Sequence, residues 1–320
     1  MSREYHLPLI LTFIDYKKAF DSIKPSFIWK ILEEQGVNID YIDLLAECYS
    51  DCETKFKPFH REIAVRVEKG VRQGDPISPS LCSSCLESVM RRCNWEEFGL
   101  DVNEKKLNRL RFADDLILIS STPREASLMI DSPNREGTRA GLVINISKTK
   151  SMRNIFAPID PVILDGHPIE DVGENIYLGS LLSMSGDLMP KLLRRTRAGW
   201  AAYVTIKTVI EASQDQKLKA MLFDSTVLPA LTYASETWAL TKVHENKINT
   251  IQAALERRLV GITLRDQHQH DLHNSDIRKR SGVKVMLVHI NRTKHDWAGH
   301  LLRRNDSRWS TALQLWIQDQ

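Results

Sequence analysis

The sequence predicts an α+β fold: a small antiparallel sheet packed on helices over residues 1–187, followed by an all-helical region over residues 188–320. Three observations predict it. Apolar runs of strand length, "LPLILTFIDY" and "LRFADDLILIS", alternate in the first part with amphipathic stretches of helix length. Beyond about residue 188 only the helical period remains. The charge changes at the same place: residues 1–188 hold 23 Lys and Arg against 29 Asp and Glu, a net of −6, whereas residues 189–320 hold 21 against 12, a net of +9. An acidic front and a basic back suit a chain that binds cations with one part and a polyanion with the other.

Each element follows from its local chemistry. "LPLILTFIDY" reads as a buried strand whose apolar run stops at Asp15. "KPSFIWKILEEQG" has Pro25 at a helix start, apolar residues at 27, 28, 31 and 32, and Gly36 as a stop, and "YIDLLAECYS" is a second short helix. "TKFKPFHREIAVRVEKG" alternates as two strands, with Ile63, Val65 and Val67 on one face. "PISPSLCSSCLESVMRRC" is a helix capped by Ser78 and Pro79. "LRFADDLILIS" is expected to be a hairpin with its two-residue turn at Asp114 and Asp115. A helix over 123–141 is expected to be interrupted by Pro133 and Gly137. Strand-like pieces follow at "GLVINIS", "PVILDG" and "IYLGSLLS", and then helices beginning with "LMPKLLRRTRAGWAAYVTIKTVIEAS".

Several classes are set aside by the same residues. No apolar run approaches the roughly 20 residues that cross a bilayer, and "MSREYHLPLILTFIDY" lacks a signal-peptide cleavage pattern. An intracellular protein is expected, with nucleus or cytoplasm left open and no membrane partner. The five cysteines, at 48, 52, 82, 85 and 93, form no disulfide framework for a chain of this size. Cys82 and Cys85 read as buried thiols one helical turn apart. His268, His270 and His273 lack cysteines or acids in a metal-binding pattern and read as a solvated loop.

Adjacent carboxylates in an apolar run repel each other and lose hydration, which a solvated turn or a bound cation relieves. Asp15 ends one strand and Asp114-Asp115 sit about a hundred residues later on another. If both strands share a sheet, three carboxylates meet at their ends and make a hard-cation site suited to magnesium. Two such ions roughly 4 Å apart would serve in-line phosphoryl transfer.

"FIDYKKAFDSI", "GVRQGDPISPSL", "LRFADDLILIS", "INISKTKSM" and "IYLGSLLS" stand in the order and spacing of the palm motifs of reverse transcriptases, and their wording resembles the non-LTR (LINE-like) retrotransposon group. "YASETWALT" and "DWAGHLLRRNDSRW" resemble the thumb and post-thumb region of that group, so the resemblance covers nearly the whole chain. It implies a polymerase palm in residues 1–187 and a helical thumb and post-thumb region in 188–320. It also implies an RNA-directed DNA polymerase that uses two magnesium ions, an RNA template, a DNA primer and deoxynucleoside triphosphates.

The resemblance assigns roles residue by residue. Asp15, Asp114 and Asp115 match the metal-binding carboxylates, and the Ile14 backbone carbonyl is expected to complete the coordination. Phe20 matches the aromatic ring that packs under the incoming sugar and excludes a 2′-hydroxyl; read alone, it is a core aromatic at a helix start. Gln73 and Gly74 match the lining of the nucleotide pocket, Gly74 for close backbone approach and Gln73 for hydrogen bonds to sugar or base. Lys148 resembles the lysine beside the leaving pyrophosphate, with Lys150 as the competing position. Tyr177, Leu178 and Gly179 match the hairpin that grips the primer. Arg194, Arg195 and Arg197, with Trp200, could lie along nucleic acid or form the wet face of a thumb helix.

Fourteen residues precede Asp15, fewer than the fingers region the resemblance implies, and no endonuclease is recognisable. Another chain is expected to supply either. A catalytically silent retrotransposon remnant that still binds nucleic acid is the alternative.

Overall fold

The computed structural model describes residues 5–102, 105–304, 306 and 308–312. Two compact units make up the chain, Met1–Asn175 and Ile176–Gln320. In the first, strand β1 (Ile10–Ile14) leads into a single turn α1 (Ala19–Ser22), helices α2 (Pro25–Glu34) and α3 (Ile39–Tyr49), and a hairpin of β2 (Glu53–Phe56) and β3 (Ile63–Arg66). Helix α4 (Ser78–Arg91) precedes a small hairpin of β4 (Leu100–Val102) and β5 (Lys105–Leu107), then β6 (Arg109–Phe112), β7 (Asp115–Ser120) and helix α5 (Pro123–Ala140). β8 (Lys150–Arg153), β9 (Ile163–Leu164), β10 (His167–Pro168) and β11 (Glu170–Asp171) complete this unit.

The central sheet has the order β11-β8-β1-β7-β6. β1 runs antiparallel to both β7 and β8, and only the edge strand β11 is parallel to its neighbour. Ile14, Leu116 and Leu118 join the residues of α2, α4 and α5 in one core. The alternate positions Phe13, Ile117 and Ile119 are buried as well. Burial on both faces explains why these strands read as continuous apolar runs instead of alternating.

Helix α5 is unbroken, contrary to the expected interruption at Pro133 and Gly137. Its buried positions Ala126, Met129, Ile130, Pro133, Gly137 and Ala140 recur at helical spacing. Pro133 removes one backbone hydrogen bond, costing about 3 kcal/mol. Complete burial of Met129 and Ile130 offsets this at roughly 1.5–3 kcal/mol each. "GLVINIS" also differs from expectation. Apart from a single bridge between Ile144 and Tyr16 it is not a strand, because its backbone is used to tie down the chain after β1: Lys17 N–H donates to the Val143 carbonyl at 2.8 Å and Asn145 N–H to the Asp15 carbonyl at 2.7 Å. Cys82 and Cys85 are buried in α4, and burial pushes their thiols up to about 11 and about 12.

A hairpin of β12 (Glu174–Tyr177) and β13 (Ser180–Ser183) spans the division between the units. The division therefore falls ahead of the change of period at residue 188. The second unit is helical: α6 (Met189–Ala212), α7 (Gln216–Leu222), α8 (Leu228–Thr232), α9 (Lys242–Val260), α10 (Leu264–Gln269), α11 (Asn274–Ser281) and α12 (Met286–Leu302). Between α7 and α8 the residues Phe223–Val227 form a π turn. Pro229 has no N–H to give, and Leu228 N–H reaches back to the Phe223 carbonyl. The core here gathers Leu192, Phe223, Leu231, Ile248, Leu255 and Ile290. Fully buried Glu256 accepts hydrogen bonds from Gln252 Nε2 at 2.7 Å and Arg278 Nε at 3.2 Å, linking α9 to α11. The three histidines are exposed, as expected, but His268 belongs to α10 and His273 caps α11, so the stretch is two short helices and not a loop. Among the described residues no helix is long and apolar enough to cross a membrane.

Candidate active site

The two central strands bring Asp15 and Asp115 together. Ile14 pairs with Leu116 in the β1–β7 ladder, so the next position sets Asp15 across from Asp115. Phe112 pairs with Asp115, which makes the two-residue turn Ala113–Asp114, one residue earlier than expected. Ala113 takes the positive φ of that turn, at 53°. The ladders fix this: Phe112 pairs with Asp115 against β6 while Leu116 pairs with Ile14 against β1. Asp115 opens the strand, and Asp114 is exposed on the turn.

Partial burial, then the charge of Asp114, then that of Asp15, hold the Asp115 carboxyl above its usual range, although the side chain still reaches solvent. Asp15 itself is half-buried and fixed through its backbone: its N–H donates to Thr149 Oγ1 at 3.3 Å, and its carbonyl accepts from Asn145. Ile14 buries its side chain in the core, which leaves only its backbone for coordination. The donor set fits a hard divalent cation: carboxylate oxygens whose mutual repulsion a cation would relieve. Among the described residues no three His, Cys, Asp or Glu side chains already enclose a metal position. The paired Asp15 and Asp115 form the core of the candidate site, with Asp114 beside them on the turn.

The segment after Asp15 meets the "GVRQGDP" stretch. Phe20 lies half-buried in α1, packed against the core, and its carbonyl accepts from Val71 N–H at 2.7 Å. Gln73 Nε2 donates to Asp21 Oδ1 at 2.9 Å. Gly70, the first residue of "GVRQGDPISPSL", makes this junction possible: a Cβ there would stand 2.7 Å from Asp21 Cα and 2.8 Å from the Phe20 carbonyl oxygen, at φ +88°. Its signal in the sequence was a second glycine four residues before Gly74. Gly74 has a φ of +90° and nothing lies within 4 Å of a Cβ placed on it, so it serves a turn beside open space. The residues from Gly70 to Gln73, with Asp21, Cys52 and Val67, line a cleft of about 700 Å³. Asp21 and Gln73 stand on its wall, whereas Asp15, Asp114 and Asp115 do not line it.

The two lysines separate clearly. Lys150 Nζ donates to the Ser147 carbonyl at 2.9 Å and to Glu170 at 2.5 Å. Lys148 is exposed, and among the described residues its ammonium has no partner. In the second unit, Leu178 and Gly179 form the two-residue turn of the last hairpin, with φ of 46° and 73°. Leucine is an unfavourable residue there, and three donors hold it. Tyr233 Oη donates to the Leu178 carbonyl at 2.7 Å, and Arg194 Nη1 and Arg195 Nη2 donate to the Gly179 carbonyl at 2.5 and 2.7 Å. Arg195 also stacks on the Tyr233 ring, 4.9 Å from its centroid. Arg194 and Arg195 thus serve the turn beside Tyr177, whereas Arg197 is exposed without an ion pair among the described residues. Tyr233 was missed because its partner lies 55 residues away in sequence.

The fold is that of a nucleic-acid polymerase palm. Residues 4–182 match the family described as reverse transcriptase (RNA-dependent DNA polymerase), and the chain belongs to that family. Its relatives are retrotransposon proteins of the non-LTR R2 group and a transposon-derived protein. The chain is 44% identical over 220 residues to the transposon-derived protein of Caenorhabditis elegans, covering 67% of this chain and 78% of that one. It is 25% identical over 304 residues to the retrovirus-related Pol polyprotein of the type-1 retrotransposable element R2 of Popillia japonica, covering 87% of this chain. It spans 41% of the length of that polyprotein. Among solved structures, apo telomerase from Candida tropicalis is similar over 99% of this chain and 54% of that one, at 15% identity and a TM-score of 0.40.

Proposed function

We propose that this chain joins deoxynucleotides to a primer 3′-hydroxyl on an RNA template, with two magnesium ions held by Asp15, Asp115 and Asp114 and by the Ile14 carbonyl. The observation that carries the reading is the placement of Asp15 across from Asp115 at the ends of β1 and β7. Bound magnesium would activate the attacking hydroxyl and neutralise the leaving phosphate. Phe20, set by the core beneath it, would close the space a 2′-hydroxyl needs and so select deoxynucleotides. Gln73 gives one amide hydrogen to Asp21, which orients its second hydrogen and its carbonyl oxygen for sugar or base. The open space beside Gly74 leaves room for the substrate. Lys148, whose ammonium has no partner among the described residues, would stabilise or protonate the leaving pyrophosphate. The Tyr177–Gly179 turn would grip the primer, and Arg197 would pair with a phosphate.

Primer extension on an RNA template with purified protein and magnesium tests the reading. The parent should extend, and Asp115→Asn and Asp114→Ala should not, because an amide or a methyl group is a poor magnesium ligand. A parent that binds RNA and never extends would be the silent remnant.

A further inference from the structure

The hairpin of β2 and β3 has every strand residue exposed. Its register pairs Thr54 with Val65 and Phe56 with Ile63 on one face, and Glu53 with Arg66 and Lys55 with Ala64 on the other. One face is therefore apolar and the other charged. Phe56 is 48% exposed, and Phe59 at the tip is 86% exposed. Lys57 and Arg61 flank Phe59 in the sequence. Among the described residues neither makes an ion pair, whereas Lys55 faces Glu62 at 3.8 Å and Arg66 faces Asp51 at 2.5 Å. An exposed aromatic ring between two unpaired cations is the arrangement that stacks on a base and neutralises its flanking phosphates.

We infer that this hairpin is a contact for single-stranded RNA, the template strand of the polymerase proposed above, on which reading its role as a template contact rests. A second copy of the chain or another apolar protein surface would cover Phe56 and Ile63, but would leave Lys57 and Arg61 desolvated without a counter-charge. A duplex keeps its bases stacked inside, so a tip phenylalanine reaches them only in a single strand. The hairpin is also continuous with the candidate nucleotide pocket. β3 runs on through Val67 to Gly70 and Gln73, and Thr54, Val67 and Gln73 line the same cleft. A template strand leaving the pocket at Gln73 would run onto the apolar face and meet the tip.

Fluorescence anisotropy of the full chain with a labelled single-stranded RNA, and with a duplex of the same sequence, tests this across a salt series. Phe59→Ala should bind the single strand roughly 5- to 100-fold more weakly and leave duplex affinity unchanged, while Phe59→Trp should restore single-strand binding. Lys57→Ala with Arg61→Ala should lower the slope of log affinity against log salt by about 1.4, two released counterions on a single strand. Unchanged single-strand affinity in Phe59→Ala, or an equal loss on the duplex, overturns the inference. So does a variant whose only change, by sedimentation, is in oligomeric state, since the hairpin would then hold a second copy. Extension assays separate this outcome from the polymerase reading. A parent that needs Phe59 to bind RNA but never extends keeps the hairpin as an RNA contact and removes the polymerase. A parent that extends and binds RNA without need of Phe59 does the reverse.

Discussion

Gly70 and Gly74 share a backbone conformation, φ +88° and +90°, and differ in what surrounds them. Alanine at either position is forced into the left-handed region, at roughly 1–3 kcal/mol. At Gly74 that is the whole effect on stability, because a Cβ meets nothing within 4 Å. At Gly70 the same Cβ would stand 2.7 Å from Asp21 Cα, 2.8 Å from the Phe20 carbonyl oxygen and 2.9 Å from the Asp21 carbonyl carbon. These are backbone atoms that cannot rotate away, and overpacking of this kind adds roughly 1–3 kcal/mol. Gly70→Ala should therefore lose roughly 2–6 kcal/mol, which for a unit of this size is a fall in Tm of roughly 5–20 °C. Gly166→Ala supplies the control, with φ +78° and open space around its Cβ. The loss of unfolded-chain freedom on going from glycine to alanine is common to all three and cancels. Thermal unfolding followed by circular dichroism should rank Gly70→Ala well below Gly74→Ala, with Gly74→Ala close to Gly166→Ala. Equal falls for Gly70→Ala and Gly74→Ala would refute the close approach of Gly70 to α1. In extension assays Gly74→Ala should raise KM for the deoxynucleotide and Gly166→Ala should not, since only the former projects a methyl group toward the proposed pocket.

Asp115→Asn removes one of three like charges, so in the absence of divalent cations it should melt above the parent at neutral pH; magnesium should raise the Tm of the parent and not of the variant, and equal magnesium responses would remove Asp115 from the cation site. Burial holds the Glu256 carboxyl above its ordinary range against the pull of Arg278 and Gln252. The folded chain then keeps this proton longer than the unfolded one, so its contribution to stability is present below the ordinary carboxylate range and is lost as pH rises through the raised value. Glu256→Gln should flatten the fall in Tm as pH rises above the ordinary carboxylate range, and an unchanged profile would show that other groups set it. Tyr233→Phe and Arg195→Ala should speed amide hydrogen exchange in the Leu178–Gly179 turn, while Arg197→Ala should leave exchange alone and weaken RNA binding with a smaller salt dependence. If Arg195→Ala lowers the salt slope without touching exchange, Arg195 contacts nucleic acid directly. Phe20→Ala should admit ribonucleotides in an extension assay, and retained discrimination would assign sugar selection to another residue.

The amino-acid sequence by itself determines the α+β class, the strands that carry Asp15 and Asp115, the amphipathic hairpin after α3 and the helical second part. Those follow from local periodicity and from where apolar runs stop, which are properties of a few neighbouring residues. Tertiary structure decided what depends on distant partners. It kept α5 whole through Pro133 because the core takes that face of the helix, and it moved the hairpin turn to Ala113–Asp114 because the ladder register with β1 and β6 outweighs the turn preference of two adjacent aspartates. It drew "GLVINIS" out of the sheet to bracket Asp15, and gave Lys150, not Lys148, to Glu170. It turned Arg194 and Arg195 toward the Gly179 carbonyl, although by charge alone they look like Arg197. A charge or a glycine shows in the sequence, but its partner is chosen by packing between residues far apart along the chain.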